Sequence, residues 1–280
     1  MNFVAPGGIV EADRALRRRA VRIRRLALEM VTRARASHIG SALSIADIVA
    51  ALYGEVMRYD PADPAWADRD RLLLSKGHAC VVIYAALADA DFFPLERLET
   101  YGCDGSDLMN HISHKVPGVE FSTGSLGHGL PFGTGKALAA KKRGAGWRTF
   151  VILGDGEMAE GSNWEAMLFA AHHGLDNLVG IIDYNKLQSL TTVEQTLRIE
   201  PLAEKIAAFG WSVREVDGHD VRAIADALST APWEPGKPGM LIAHTIKGKG
   251  VSYMENQVAW HYRNPSEEQL AEAIAELGDA

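Results

Sequence analysis

The chain has 280 residues, 47% of them apolar and 23% charged, with a formal net charge of −7 at pH 7. That composition supports a substantial core, excludes intrinsic disorder and disfavours nonspecific nucleic-acid binding. Cys80 and Cys103 form no CxxC pair, so neither a zinc site nor a disulfide framework is expected, and a reduced, cytoplasmic protein is.

The N-terminus lacks the apolar region of a signal peptide, and "CVVIYAALADA" is too short to span a bilayer, so no membrane partner is expected. The basic run "RALRRRAVRIRR" opens a helix. Leu16, Ala20, Ile23, Ala27 and Met30 recur at helical spacing, which puts most of the arginines on the opposite, solvated face. Beyond it, short apolar runs read as strands: "RLLLS", "RTFVILG", "NLVGIID", "WSVREV" and "GMLIAHT". Helical patterns alternate with them: "ACVVIYAALADA", "GTGKALAAKKRG", "SNWEAMLFAAHHG", "PLAEKIAAFG" and "DVRAIADALSTA", with "SEEQLAEAIAELG" last. Alternation of this kind predicts an α/β fold, a doubly wound parallel sheet with helices on both faces. "WEPGKPG" is a helix-to-strand loop, so residues 1–280 read as one domain that includes the N-terminal helical segment and the C-terminal helix.

Open parallel sheets bind ligands beyond the carboxyl ends of their strands. Asp155 ends one strand between Gly154 and Gly156, and Asn185 lies just past the end of the next. The glycines let a bulky anion approach the backbone, and the helix that follows can turn N–H groups towards it. Mg²⁺ wants six oxygens and takes several from phosphate and water. One carboxylate, one amide oxygen and one backbone carbonyl would leave places for a diphosphate. Other nucleotide and hydrolase motifs fit poorly. "GLPFGTGK" has one residue too many for a P-loop, "GSLGHG" is not GxGxxG, and neither HExxH nor GxSxG occurs.

The stretches "SHIGSALSIADIVAALYG", "DRLLLSKGHACVVIYAAL", "VPGVEFSTGSLGHGL", "GDGEMAEGSNWEA", "IIDYNKLQ" and "TIKGKGVSYMENQVAWH" together resemble the transketolase family over nearly the whole chain. The resemblance implies a thiamine diphosphate-binding fold with Mg²⁺ or another divalent cation. Asp155, Asn185 and the backbone carbonyl of Leu187 match its metal ligands, and Gly156 its diphosphate loop. Gly124, Ser125 and Leu126 match the turn along the cofactor, with Ser125 in place of the family's usual proline. His78 matches a contact on the diphosphate side, and Glu160 an acidic residue of the subunit interface near the cofactor. His38, His111 and His261 match the substrate-handling histidines, with His114 an alternative to His111 and Tyr262 standing where many relatives have Gly. Imidazoles suit the proton transfers of ketol chemistry near neutral pH. His172 and His173 read as helix-terminal residues, while Lys247 and Lys249 fit either a phosphate contact or a solvated loop.

In the family, a Glu from a pyrimidine-binding domain activates the cofactor. This sequence resembles the diphosphate-binding domain alone, which implies the N-terminal subunit of a split transketolase. Its partner would be a C-terminal subunit supplying that Glu, in an α2β2 assembly acting on sugar phosphates. Alternatives are a subunit of a 1-deoxyxylulose-phosphate synthase or of a 2-oxo-acid dehydrogenase, against which the histidines argue, or a noncatalytic binding protein that kept the fold.

Overall fold

The computed structural model describes residues 6–278. Five strands, β1 (Arg71–Leu74), β2 (Thr149–Gly154), β3 (Leu178–Tyr184), β4 (Ser212–Asp217) and β5 (Gly239–His244), form one sheet in the order β1-β2-β3-β5-β4. Every neighbouring pair is parallel. Side chains alternate across it as strand geometry requires. Leu72, Leu74, Phe150, Ile152, Val179 and Ile181 pack into one apolar cluster, whereas Leu73, Val151, Leu153, Leu178 and Ile182 pack into the other.

The first cluster is covered by α1 (Pro6–Ala34), α2 (Ile39–Leu43), α3 (Ala46–Ala51), α4 (Cys80–Asp89) and α9 (Val221–Ser229), and the second by α5 (Gly129–Arg143), α6 (Gly161–His172) and α8 (Leu202–Ala208). A short helix, α7 (Val193–Thr196), lies in the loop after β3, and α10 (Glu267–Leu277) packs on α1. The expected doubly wound architecture is therefore present. Leu16, Ala20, Ile23, Ala27 and Met30 all face the core. One arginine departs from the solvated face: Arg24 is buried because Asp47 on α3 takes its guanidinium with bonds of 3.1 and 2.5 Å.

Residues 39–53 are buried throughout, in α2, α3 and the start of a π-helical turn at Leu52–Val56. A segment buried on all sides has no polar face, so periodicity carries no signal there. Among the described residues, no helix is long and apolar enough to cross a membrane.

Candidate active site

The parallel register sets the site. Gly154 of β2 pairs with Asp183 of β3, and Tyr184 of β3 pairs with His244 of β5. The chain therefore leaves four adjacent strands at one edge, delivering Ser75 and Lys76 after β1, Asp155 after β2, Asp183 and Asn185 from β3, and Thr245 to Lys247 after β5. The helix expected over "SNWEAMLFAAHHG" forms as α6, which begins at Gly161, and between β2 and α6 Asp155 caps a 3-10 turn, Gly156–Ala159. Glu157 folds back under that turn. Its carboxylate accepts hydrogen bonds from Ser75 Oγ and from the amides of Gly127 (2.8 Å) and Gly154 (3.2 Å). Burial pushes its pKa up, and those donors oppose the rise.

Asp155 is 3% exposed. Its Oδ1 accepts from the Gly156 amide at 2.7 Å and its Oδ2 from the Lys186 amide at 2.5 Å. Burial, and then the neighbouring Asp183 carboxylate, raise its pKa to about 7. Asp183 is fully buried, and burial works against its charge. The Lys76 ammonium at 2.5 Å outweighs that and, with Ser44, Thr245 and Asn185 as further donors, holds its pKa below the usual range. The bond from Asn185 Nδ2 to Asp183 measures 2.9 Å and orients the amide, leaving Asn185 Oδ1 as the acceptor for the Leu187 N–H at 3.0 Å.

Lys247 is 1% exposed, and its amine reaches the carbonyls of Leu187 (3.2 Å) and Gln188 (3.0 Å) and His261 Nδ1 (3.1 Å). Burial, and then Lys76, lower its pKa to about 8. Lys249 instead pairs with Glu255 at 3.4 Å and is part-exposed, which separates the two lysines.

Four histidines from four separate segments meet beside these groups. The ring of His38 lies 5.1 Å from His78, 6.0 Å from His111 and 5.0 Å from His261, and His78 lies 5.4 Å from His261. His114 is not among them; its ring bonds Ser122 at 2.7 Å. His38 has φ +74°, a left-handed conformation that costs about 1 to 2 kcal/mol outside glycine. Its amide bonds the His261 carbonyl at 2.9 Å, which ties the two segments together. Burial, then His111 and Lys247, lower the pKa of His38 to about 4. Burial, then Lys247 and His38, lower that of His261 to about 3. His78 is likewise held well below the ordinary value, chiefly by burial. Burial thus holds His38, His78 and His261 neutral at physiological pH, and a neutral imidazole donates one hydrogen bond and accepts another. Ring ¹⁵N spectra should show His38 and His261 unprotonated down to roughly pH 5.5, against about 6.5 for an ordinary imidazole. Titration of both near the ordinary value would contradict this burial.

A cavity of about 230 Å³ is lined by the sequence-predicted His78, Gly124, Leu126, Gly154, Asp155, Gly156, Asn185, Leu187 and His261, while His38, beside His78 and His261, and His111, beside His38, do not line it. Ser125 and Glu160 are exposed and do not line it; Glu160 stands at the start of α6, on the surface. Sequence reasoning missed Lys76, Asp183 and Gln188, which do line it. Gln188 Nε2 is a buried donor with no partner, against Gly156. A larger cavity, about 780 Å³, adjoins Asn185 and Leu187 and includes none of the four clustered histidines.

The donor set is chemically suited to a metal-bridged diphosphate. Asp155, Asn185 Oδ1 and the Leu187 carbonyl are hard oxygen donors of the kind Mg²⁺ or Ca²⁺ takes, and the two lysines and the unpartnered Gln188 amide suit phosphate oxygens.

Residues 16–279 match the family profile described as transketolase, thiamine diphosphate binding domain. The chain belongs to the transketolase family. Among curated transketolases it is 42% identical to an apulose-4-phosphate transketolase subunit of Phocaeicola vulgatus over 256 residues, 91% of each chain. It is also 42% identical to the 6-deoxy-6-sulfo-D-fructose transketolase subunit SqwG of Clostridium sp., over 91% of this chain and 93% of that one. The crystal structure of transketolase from Campylobacter jejuni superposes with a TM-score of 0.89 at 31% identity, over 95% of this chain and 43% of that one. The chain thus spans less than half the length of that solved transketolase. The thiamine diphosphate expected from the sequence is the ligand for which the matched transketolase domain is described.

Proposed function

We propose that the chain is the diphosphate-binding subunit of a two-chain transketolase, which moves a two-carbon ketol unit from a ketose or ketose phosphate to an aldose acceptor. The observation that carries this reading is the meeting, at one strand edge, of three oxygen donors with a cluster of four imidazoles. Relatives of matching length are named as single subunits of transketolases, which supports a second polypeptide. Two of them are named for different sugars, so the proposal stops at the ketol unit they would share.

In this reading Asp155, Asn185 and the Leu187 carbonyl would hold Mg²⁺ or another divalent cation. Lys247, Gln188, His78 and the backbone at Gly154 and Gly156 would face the diphosphate, and Gly124 and Leu126 would flank the rest of the cofactor. Bound thiamine diphosphate supplies the carbon nucleophile and electron sink needed to break a carbon–carbon bond beside a carbonyl. His38, His111 and His261 would hold substrate hydroxyls and move protons at them. Lys247, donating to Nδ1, would keep His261 neutral with its Nε2–H free to donate to a substrate oxygen. Glu160, on the surface, and Ser125 would meet the partner subunit, which supplies the activating Glu within an α2β2 assembly. We read residues 1–280 as one domain. Free Cys80 and Cys103 fit a reducing, cytoplasmic setting.

Alanine at His38 or His261 should lower kcat by about 10² to 10⁴ in the assembled enzyme, the range for lost proton-transfer groups, with a much smaller change in cofactor affinity. His111→Ala should fall in the same direction and His114→Ala should not. Steady-state ketol transfer together with cofactor calorimetry decides the matter; wild-type turnover in His38→Ala and His261→Ala would remove them from the mechanism.

A further inference from the structure

The turn after β5 carries Lys247 into the cavity, and its backbone is pinned on both sides of that residue. Thr245 Oγ1 donates to Asp183, and the Gly248 amide donates to the Gly40 carbonyl at 2.9 Å. Between them the Ile246 amide donates to Nε2 of His219 at 2.8 Å. An N–H can only donate, so Nε2 holds a lone pair and the ring proton sits on Nδ1. Nδ1 lies 2.8 Å from Asp47 Oδ2 and donates to it, and Asp47 is held in turn by the buried Arg24 guanidinium at 3.1 and 2.5 Å. The relay thus runs from α1 through α3 and the β4–α9 loop to the residue before Lys247. His219 does not line the cavity.

We propose that His219, oriented by Asp47 and Arg24, is a positioning residue that sets the Ile246–Lys247 backbone and so the place of the Lys247 amine between the Leu187 carbonyl and His261. The proposal rests on the reading that this cavity takes thiamine diphosphate. Lys247 has a long, flexible stem, and a buried amine is useful to an anion only if its backbone does not drift. The Ile246 bond removes that drift immediately next to the lysine.

A merely structural role would be to bind α1, α3 and the β4–α9 loop together through Asp47. Two substitutions separate the roles. His219→Asn places an amide N–H where Nδ1 stood, keeping the donor to Asp47 and losing the acceptor for Ile246. His219→Gln places an amide oxygen where Nε2 stood, restoring that acceptor.

The test is thiamine diphosphate binding by calorimetry, with Mg²⁺, on the assembled enzyme, alongside kcat and the thermal midpoint. His219→Asn should weaken cofactor binding about tenfold and lower kcat, the scale of one lost hydrogen bond, while His219→Gln should stay within about twofold of wild type. In a Lys247→Ala background His219→Asn should cost nothing further in affinity, since the two act as one unit. Equal affinities for the Asn and Gln variants, or undiminished cost in the Lys247→Ala background, would overturn the proposal. If His219→Asn does not fold, His219→Leu removes the acceptor for Ile246 instead and should weaken binding by about tenfold, binding equal to that of His219→Gln again being contrary. Failure of the wild-type enzyme to bind thiamine diphosphate would be a different result, striking the cofactor reading itself.

Discussion

Asp155→Ala is expected to weaken thiamine diphosphate binding to the assembled enzyme by at least about a hundredfold, because removing even an outer partner of a metal ligand costs about 10- to 100-fold. The carboxylate is 3% exposed and stands beside Asp183, and its pKa of about 7 records how poorly its buried surroundings tolerate the charge. No ammonium is paired with it among the described residues; Lys76 is committed to Asp183 and to the Ser41 carbonyl. A divalent cation would compensate that charge, so the penalty carried by the folded chain would become affinity for metal and diphosphate. Alanine also removes the acceptor for the Gly156 and Lys186 amides, and with it the shape of both loops. Asp155→Asn separates the two effects. It keeps an acceptor while losing the charge, and should still bind cofactor far more weakly than wild type. Calorimetry with Mg²⁺ present measures both variants, and unchanged affinity in either would refute the metal assignment.

Much of this architecture is legible in the sequence, and its exceptions have physical causes. All five strands fall on the expected runs; the four covered on both faces, β1, β2, β3 and β5, are continuous apolar segments, whereas the edge strand β4 is half exposed and carries charges. Asp155 and Asn185 can be paired from sequence because β2 and β3 are consecutive, adjacent and parallel, so strand ends separated by one helix are neighbours. The histidines depend instead on resemblance. No spacing rule joins positions 38, 78, 111 and 261, which meet only through folded loops.

Lys76, Asp183 and Gln188 are silent in sequence for another reason. Asp183 ends an apolar run like any strand-terminal turn residue, and its meaning comes from Lys76, 107 positions away. Lys247 and Lys249 look alike in "TIKGKG", yet one is buried and the other pairs with Glu255 near the surface. Burial of a charge is a tertiary fact that a local pattern does not hold. Arg24 and His219 belong to the same class, each defined by Asp47.

The second large effect concerns the partner. Each buried carboxylate lining the cavity is already engaged within this chain. Glu157 is bound to Ser75, Gly127 and Gly154, and Asp183 to Lys76, Ser44, Thr245 and Asn185. Asp155 accepts from the Gly156 and Lys186 amides, and in our proposal a cation would take its charge. Among the described residues none of these carboxylates is left to activate the cofactor's pyrimidine ring, which supports our proposal that a second polypeptide supplies that group. The surface agrees. Leu168 and Phe169 on α6 are 59% and 44% exposed, and Leu190 and Tyr262, near the cavity, are 81% and 59% exposed. Exposed large apolar side chains of this kind fit a surface that a partner would cover.

The most direct test is ketol transfer by the highly purified single chain supplied with thiamine diphosphate and Mg²⁺, with mass spectrometry to exclude a copurifying subunit. The chain alone should show no turnover, and activity should appear when a polypeptide carrying a pyrimidine-binding domain, of roughly 300 residues by ordinary domain sizes, is added. Robust turnover by this chain with no second polypeptide present would contradict the two-chain account and require an activating carboxylate within these 280 residues.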